Sequence, residues 1–255
     1  KYADEELYDH QKKLLTTFKN AKGRPQLVLY IAPTGTGKTL SPLGLSMGYR
    51  IIFVCAARHV GLALAKAAIS GGRKVAFAFG CNDAEDIRLH YSAAKDYVKN
   101  RRTGGIFRVD NSVGDKVEIM ISDIKSYIPA MLYMCAFNKP ENMITYWDEP
   151  TITLDYEEHE CHEMIQRNWA QNKIPNVVLS SATLPYEHEM ADTIMDFKAN
   201  FEGASVTSIV SYDCKKTIPI IGRGGYVQVP HSLYESYQDT KTCAEYCQQH
   251  KTLMR

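Results

Sequence analysis

The chain has 255 residues, of which 45% are hydrophobic, and a formal net charge of +1 at neutral pH. This length suits one large α/β domain or two small ones, and the near-zero charge excludes a global basic surface, so any nucleic-acid-binding surface must be local. No apolar run approaches the roughly 18 residues of a membrane span, and the seven scattered cysteines lack a C-x-x-C pair, so we expect no membrane association and a reducing intracellular compartment, cytoplasm or nucleus.

Apolar strand-like runs alternate with helix-like segments along most of the chain. This alternation predicts an α/β fold with a mainly parallel sheet and helices on both faces. A polar stretch over 84–100 is expected to form one or two helices, and a Gly-rich hinge near residue 222 precedes a polar helical segment over 233–255. Strands are predicted over 26–31, 50–56, 74–80, 117–122, 143–147, 176–180 and 205–212, and helices over 4–20, 40–49, 58–70, 127–137, 154–172 and 186–201.

A glycine-rich stretch directly follows the first predicted strand. It reads Ala32-Pro33-Thr34-Gly35-Thr36-Gly37-Lys38-Thr39. Its two glycines let the backbone curl so that successive N–H groups face inward. Lys38 supplies a positive charge for β- and γ-phosphates, and the Thr39 hydroxyl can ligate Mg²⁺. The stretch therefore predicts a phosphate-binding loop at a helix start, although the usual pattern has glycine where this chain has Ala32.

Two further polar sequences end later predicted strands. The carboxylates of Asp148 and Glu149 can divide two tasks, one binding Mg²⁺ and the other orienting and deprotonating an attacking water. The sequence Ser181-Ala182-Thr183 ends the next strand, where its hydroxyls can hydrogen-bond back to the acidic pair. Taken alone, each has a plain structural explanation, a solvated loop or a polar strand-to-helix turn. Because ligands of parallel sheets bind at the carboxyl ends of strands, both sequences and the phosphate loop are expected at one edge.

The order of these motifs resembles the first RecA-like domain of superfamily 2 (DExD/H-type) helicases and nucleic-acid translocases, over roughly residues 5 to 215. The phosphate loop is similar to the motif I of that family, Asp-Glu-Pro-Thr at 148–151 to motif II, and Ser-Ala-Thr at 181–183 to motif III. Further resemblances are Tyr-Asp-His-Gln at 8–11 to the upstream glutamine motif and Val-Cys-Ala-Ala-Arg at 54–58 to the motif after the second strand. Motif II departs from the family pattern, since it reads neither Asp-Glu-Ala-Asp nor Asp-Glu-x-His.

This resemblance implies a RecA-like P-loop NTPase that uses ATP and Mg²⁺. Lys38, Asp148 and Glu149 would be catalytic, with Glu149 as the general base. Mg²⁺ would be held by Thr39 and Asp148, and Ser181 and Thr183 would couple the nucleotide state to the grip on nucleic acid. Arg58 would contact the nucleic-acid backbone. ATP would be bound by Gln11, whose amide reads adenine, and by Pro33, Thr34, Gly35, Thr36, Gly37, Lys38 and Thr39.

The resemblance also sets the expected domains and partners. Residues 1–222 would be the ATP-binding domain, and 223–255 a linker and the opening of a second RecA-like domain that is otherwise absent from this chain. The family's second domain supplies arginine fingers, worth several orders of magnitude in rate in related NTPases. We therefore expect a piece of a longer protein that partners DNA or RNA, binds nucleotide and, as this fragment, hydrolyses it weakly.

Several alternatives stay open from the sequence. The chain could belong to a translocase that moves along duplex without unwinding it, or be a non-catalytic, nucleotide-switched binding module. A packaging ATPase or small NTPase is disfavoured by the Ser-Ala-Thr triplet. The loop at 101–105 is interpreted as solvated, with contact to a phosphate backbone as its alternative, and the group His159, Cys161 and His162 as a solvated helix face rather than a metal site.

Overall fold

The computed structural model describes residues 7–21, 23–152, 157–212, 220–221, 223–224, 227–229 and 236–249. The chain divides into two compact units, residues 1–213 and 214–255. In the second unit a short antiparallel pair, β11 (Ile220–Ile221) with β12 (Val227–Val229), is followed by helix α7 (Tyr237–Gln249). The predicted boundary at residues 222 and 223 stays a prediction.

An eight-stranded sheet forms the centre of the first unit. Its strand order is β10-β1-β9-β8-β2-β7-β3-β4, and every neighbouring pair is parallel except β3 with β4. The predicted α/β fold with a mainly parallel sheet is confirmed. The strands are β1 (Gln26–Ile31), β2 (Arg50–Cys55), β3 (Val75–Ala78), β4 (Arg88–Leu89), β7 (Ile119–Asp123), β8 (Met143–Asp148), β9 (Asn176–Ser181) and β10 (Ser205–Val210), and a separate hairpin consists of β5 (Tyr97–Lys99) and β6 (Ile106–Val109).

Helices cover both faces of the sheet. Alternate side chains of each central strand point to opposite faces, so β1 places Leu27 and Leu29 in one core and Val28 and Tyr30 in the other. The first core is completed by α4 (Tyr127–Phe137), α5 (Glu160–Ala170) and α6 (Ala191–Asn200), and the second by α1 (Asp9–Asn20), α2 (Ser41–Leu45) and α3 (Arg58–Ser70). Of the residues that the structure describes, none lies in a helix long and apolar enough to cross a bilayer.

The prediction of one or two helices over 84–100 is wrong. The Asp83 carboxylate accepts from the Glu85 N–H at 2.9 Å and closes a short 3-10 turn. The chain then extends, and Leu89 pairs with Ala76 to add β4 as an antiparallel edge strand. Because an edge strand and an exposed hairpin present polar residues to water, their composition is like that of a surface helix.

Four predicted helices are shorter than expected. The helix predicted over 4–20 is α1, which begins at Asp9; residues 7 and 8 are not helical, and residues 4–6 lie outside the described part of the chain. After the phosphate loop a 3-10 turn at Lys38–Leu40 leads into the five-residue α2, since Pro42 and the glycines around it limit the helix. α5 begins at Glu160 rather than 154, because extended His159 caps it through its ring Nδ1, which accepts from the Cys161 N–H; the predicted residues 154–156 lie outside the described part of the chain. Over 186–201, a 3-10 turn at Glu187–Met190 precedes α6.

Candidate functional site

The stretch from Ala32 to Thr39 forms a tight turn between β1 and the 3-10 turn after it. Gly35 and Gly37 adopt left-handed backbone, with φ of 81° and 78°, a region that disfavours residues with a Cβ. A Cβ on Gly37 would also lie 2.8 Å from the Gln11 Nε2. That nitrogen donates to the Gly37 carbonyl at 3.3 Å, and the Gln11 Oε1 accepts from the Tyr8 N–H at 3.0 Å. The side chain expected to read adenine therefore lies directly against the loop.

Lys38 lies on the inner side of this loop with only 6% of its surface exposed. Its Nζ donates to the carbonyl oxygens of Ala32 and Pro33, the second at 3.1 Å. Burial lowers the pKa of this ammonium, while the carboxylates of Glu149 and Asp148 act in the opposite direction. A desolvated cation is thus held within the field of both acidic residues.

Asp148 is the last residue of β8 and is 8% exposed. Burial and the nearby charge of Glu149 raise the pKa of Asp148 to about 6, and the Lys38 ammonium and a hydrogen bond with the Thr39 side chain oppose that rise. The two side chains predicted to hold Mg²⁺ therefore lie near enough for the Thr39 hydroxyl to act on the Asp148 carboxylate. A hydroxyl and a carboxylate are the hard oxygen donors that suit Mg²⁺ when phosphates and waters complete its shell.

Glu149 turns sharply away from the strand. Its φ of 52° makes it the one non-glycine residue with left-handed backbone in the described part of the chain. Such a conformation costs on the order of 1–3 kcal/mol and persists where the surroundings hold it. Here the Glu149 N–H donates to the Ser180 carbonyl at 2.8 Å, and the Glu149 Oε2 accepts from the Ser181 hydroxyl at 2.5 Å. The carboxylate is thereby anchored to the neighbouring strand β9.

The Ser181 hydroxyl is the centre of a small hydrogen-bonded group. Besides donating to Glu149, its oxygen accepts from the Thr183 N–H at 3.1 Å and lies 3.3 Å from the Thr183 Oγ1. The Thr151 Oγ1 lies 3.4 Å away. The structure thus brings the acidic pair and the Ser-Ala-Thr triplet together at one edge of the sheet. Thr151, the last residue of the Asp-Glu-Pro-Thr sequence, is an addition that sequence reasoning missed.

A buried tyrosine beneath the loop was also missed. The Tyr146 hydroxyl donates to the Lys38 carbonyl at 2.8 Å and shares a 3.0 Å hydrogen bond with the Ser180 Oγ. It therefore ties the loop after β1 to both β8 and β9. A signal was present, because Tyr146 lies two residues before Asp148 and strand alternation places both on one face.

Arg58 lies apart from these residues, at the start of α3 beyond the carboxyl end of β2. Its exposed guanidinium is 3.9 Å from the Asp123 carboxylate and 5.1 Å from the Phe79 ring centroid. Asp123 also accepts from the N–H groups of Gly80 and Ser126, at 2.8 and 2.9 Å. This carboxylate, another group that sequence reasoning did not single out for this task, joins the loops after β2, β3 and β7.

Comparison with known proteins identifies the fold rather than a close relative. No protein-family model and no curated protein matches the sequence. The crystal structure of a DEAD box protein from the hyperthermophile Methanococcus jannaschii aligns with a TM-score of 0.50 and 16% identity, over 96% of this chain and 64% of that one. A hypothetical ATP-dependent RNA helicase from Sulfolobus tokodaii aligns with a TM-score of 0.48 and 17% identity, over 81% of this chain and 54% of that one.

This chain therefore spans less than two thirds of the length of either structure. The likeness to the DEAD box protein agrees with the parallel sheet, the helices on both faces and the motif-bearing loops at the carboxyl edge. By its fold, the chain is therefore a RecA-like α/β domain.

Proposed function

We propose that this chain is the ATP-binding motor domain of a superfamily 2 nucleic-acid helicase, which couples ATP hydrolysis to the unwinding of DNA or RNA. The observation that carries the proposal is the contact between loops from three strands. Tyr146 on β8 donates to the Lys38 carbonyl in the loop after β1, and Glu149, directly after β8, bonds Ser181 at the end of β9. Phosphate binding, metal binding and a general base are thereby supported at one place.

The roles follow from the chemistry of each side chain. Lys38, now bonded to loop carbonyls, would exchange those bonds for the β- and γ-phosphates, because charge-assisted bonds to phosphate are stronger than bonds to neutral carbonyls. Thr39 and Asp148 would hold Mg²⁺, which when bound neutralises charge that develops on the phosphates. Glu149 would orient the attacking water and accept its proton.

Ser181 would position that base. Its short hydrogen bond to the Glu149 Oε2 leaves the other carboxylate oxygen to meet the water, and it links Glu149 to Thr183. A change at the phosphate site would thus be passed to the loop after β9. We assign Ser181 and Thr183 to coupling, Gln11 to adenine recognition and Arg58 to the nucleic-acid backbone.

Two measurements test nucleotide chemistry. On the chain of residues 1–255, a fluorescent ATP analogue should bind in the presence of Mg²⁺, and Lys38→Ala should abolish this binding. Turnover should be weak without a second RecA-like domain, because the arginine fingers of that domain would be missing. In a longer form of the protein that carries that domain, nucleic acid should stimulate turnover, and Glu149→Gln should remove it.

Glu163→Gln is the matched control, since it makes the same change at an exposed position on α5. Turnover that is absent with every nucleic acid, together with Glu149→Gln behaving like the wild type, would contradict an enzyme and favour a binding module. Comparison of single- and double-stranded DNA and RNA identifies the preferred strand. A strand-separation assay then distinguishes a helicase from a translocase that leaves duplex intact.

A further inference from the structure

A small hairpin stands apart from the main sheet. β5 and β6 pair only with each other, and every residue from 95 to 108 is exposed. The Asp110 N–H closes the base of the hairpin by donating to the Asp96 carbonyl at 3.0 Å. The Asn111 side chain fastens this base to β4 by accepting from the Leu89 N–H at 2.8 Å. An isolated two-stranded hairpin is at best marginally stable in water. It contributes little to the core, so its sequence is free to serve a surface contact.

The hairpin concentrates positive charge on a chain whose net charge is only +1. Two carboxylates, Asp96 and Asp110, lie among five cations. Within the described residues, none of these five cations has a carboxylate partner within 4 Å. The side chain of Asp110 accepts from the N–H and the hydroxyl of Ser112. The five cations are Lys95, Lys99, Arg101, Arg102 and Arg108.

Exposed aromatic rings accompany these cations. Phe107 is 75% exposed and Tyr97 is 41% exposed. The pairing register shifts so that Val98 opposes Arg108 and Lys99 opposes Ile106, which leaves Phe107 as the unpaired residue of a bulge. An acidic peptide would require only the cations, whereas single-stranded nucleic acid uses both cations for phosphates and rings for base stacking.

Hydrogen bonds within the turn fix the conformation of the hairpin tip. The Asn100 side chain accepts from the N–H groups of Arg102 and Thr103, at 2.9 and 3.3 Å, and Gly104 takes a left-handed φ of 69°. This turn presents the two adjacent arginines at the tip. The hairpin lies beside the edge strand β4, which is six interstrand spacings, or about 29 Å, from the phosphate-loop strand β1.

We propose that residues 95–108 form a second nucleic-acid contact that binds a single-stranded segment. Arg101 and Arg102 bind backbone phosphates, and Phe107 stacks on a base. This contact goes beyond the proposed ATPase and does not depend on it, because the hairpin shares no residue with the nucleotide site. It would let the domain keep hold of a strand while the nucleotide cycle changes the grip elsewhere.

Fluorescence anisotropy of labelled 20-mers of oligo(dT) and oligo(U), without nucleotide, tests the proposal on residues 1–255. Arg101→Ala/Arg102→Ala should weaken binding and lower the magnitude of the log–log salt slope by about 1.4, because each phosphate contact on a single strand contributes about 0.7. Phe107→Leu should weaken binding about fivefold or more, and Phe107→Tyr should retain it, since a ring remains available for stacking.

The matched control is Lys13→Ala/Lys19→Ala, which removes two exposed cations from α1, near the opposite edge of the sheet. It should leave binding unchanged. The Arg101→Ala/Arg102→Ala variant should bind the fluorescent ATP analogue like the wild type, so that failure of the ATPase proposal is distinguishable from failure of this one. Unchanged melting temperatures show that the variants fold.

Three outcomes would overturn the contact. The first is equal weakening by the hairpin and control pairs, which would mean non-specific attraction. The second is Phe107→Leu binding like the wild type while the arginine pair loses oligonucleotide and polyglutamate equally, which would mean a surface for acidic protein. The third is the absence of oligonucleotide binding at low salt.

Discussion

The substitution Tyr146→Phe isolates one hydroxyl that joins three strands at the nucleotide site. The ring would stay in place, fully buried and 5.8 Å from the Phe53 ring between centroids, so the buried apolar area would hardly change. The hydrogen bonds to the Lys38 carbonyl and the Ser180 hydroxyl would be lost. The substitution therefore removes hydrogen bonds from two polar groups and leaves the packing of the ring unchanged.

The expected magnitude follows from these two bonds. Leaving a buried polar group without its partner costs about 1–3 kcal/mol, and we expect about 2 kcal/mol for this change. In a domain of this size 1 kcal/mol shifts Tm by about 2–4 °C, so Tm should fall by about 4–8 °C. If about 1 kcal/mol of this loss falls on the conformation of the phosphate loop that binds nucleotide, nucleotide affinity should fall about fivefold.

The assay combines thermal unfolding by circular dichroism with binding of a fluorescent ATP analogue. Tyr127→Phe is the matched control, since the Tyr127 hydroxyl is also buried and bonds the Thr145 Oγ1 at 2.9 Å and the Asn172 Oδ1 at 2.7 Å, away from the loop. Both variants should lose stability, and only Tyr146→Phe should lose nucleotide affinity. A Tm within 1 °C of the wild type, or equal losses of affinity in the two variants, would refute the reasoning.

Three further predictions concern the fold and the loop. Gly61→Ala should lower Tm although alanine favours helices, because the new Cβ would lie 2.7 Å from the Ile121 Cγ2, whereas Gly48→Ala meets nothing within 4 Å and should not. Gly37→Ala should cost about 1–2 kcal/mol in thermal unfolding, since its φ of 78° is left-handed. The third prediction concerns stability at high pH, since burial raises the pKa of Tyr30 and Tyr133 from 10.0 to about 12. Between pH 10 and pH 12 the unfolded chain releases these two protons while the folded chain keeps them, so the stability that the two groups contribute is complete below pH 10 and is lost as the pH rises through 12. Absorbance at 295 nm and circular dichroism should change together. Ionisation near pH 10 in a still-folded chain would contradict this.

Local patterns were sufficient for the strands that carry the motifs. β1 was predicted with its observed bounds, and so were α3 and α4, because a continuous apolar run or helical spacing between clear turn signals leaves few alternatives. The ends of the other predicted strands moved by one or two residues, as at β8, which extends to Asp148 and places that carboxylate inside the sheet.

Segments with exposed polar residues were harder to predict. The stretch over 84–100 was expected to be helical, but its extended conformation depends on the antiparallel pairing of Leu89 with Ala76 on β3. The shortened start of α5 depends on a local cap at His159. In both places the composition permitted several local structures, and a long-range pairing or a specific cap selected one.

The amino-acid sequence by itself determined the α/β class, the glycine positions of the phosphate loop and the placement of three motifs at strand ends, because each depends on neighbouring residues and on the backbone freedom of glycine. Tertiary structure alone decided the strand order that brings β1, β9 and β8 side by side and hence the bond between Ser181 and Glu149. It also revealed the anchoring hydroxyl of Tyr146 and the separate basic hairpin beside β4. These features depend on which distant strands pair, and strand pairing is set by packing of the whole sheet rather than by any local pattern.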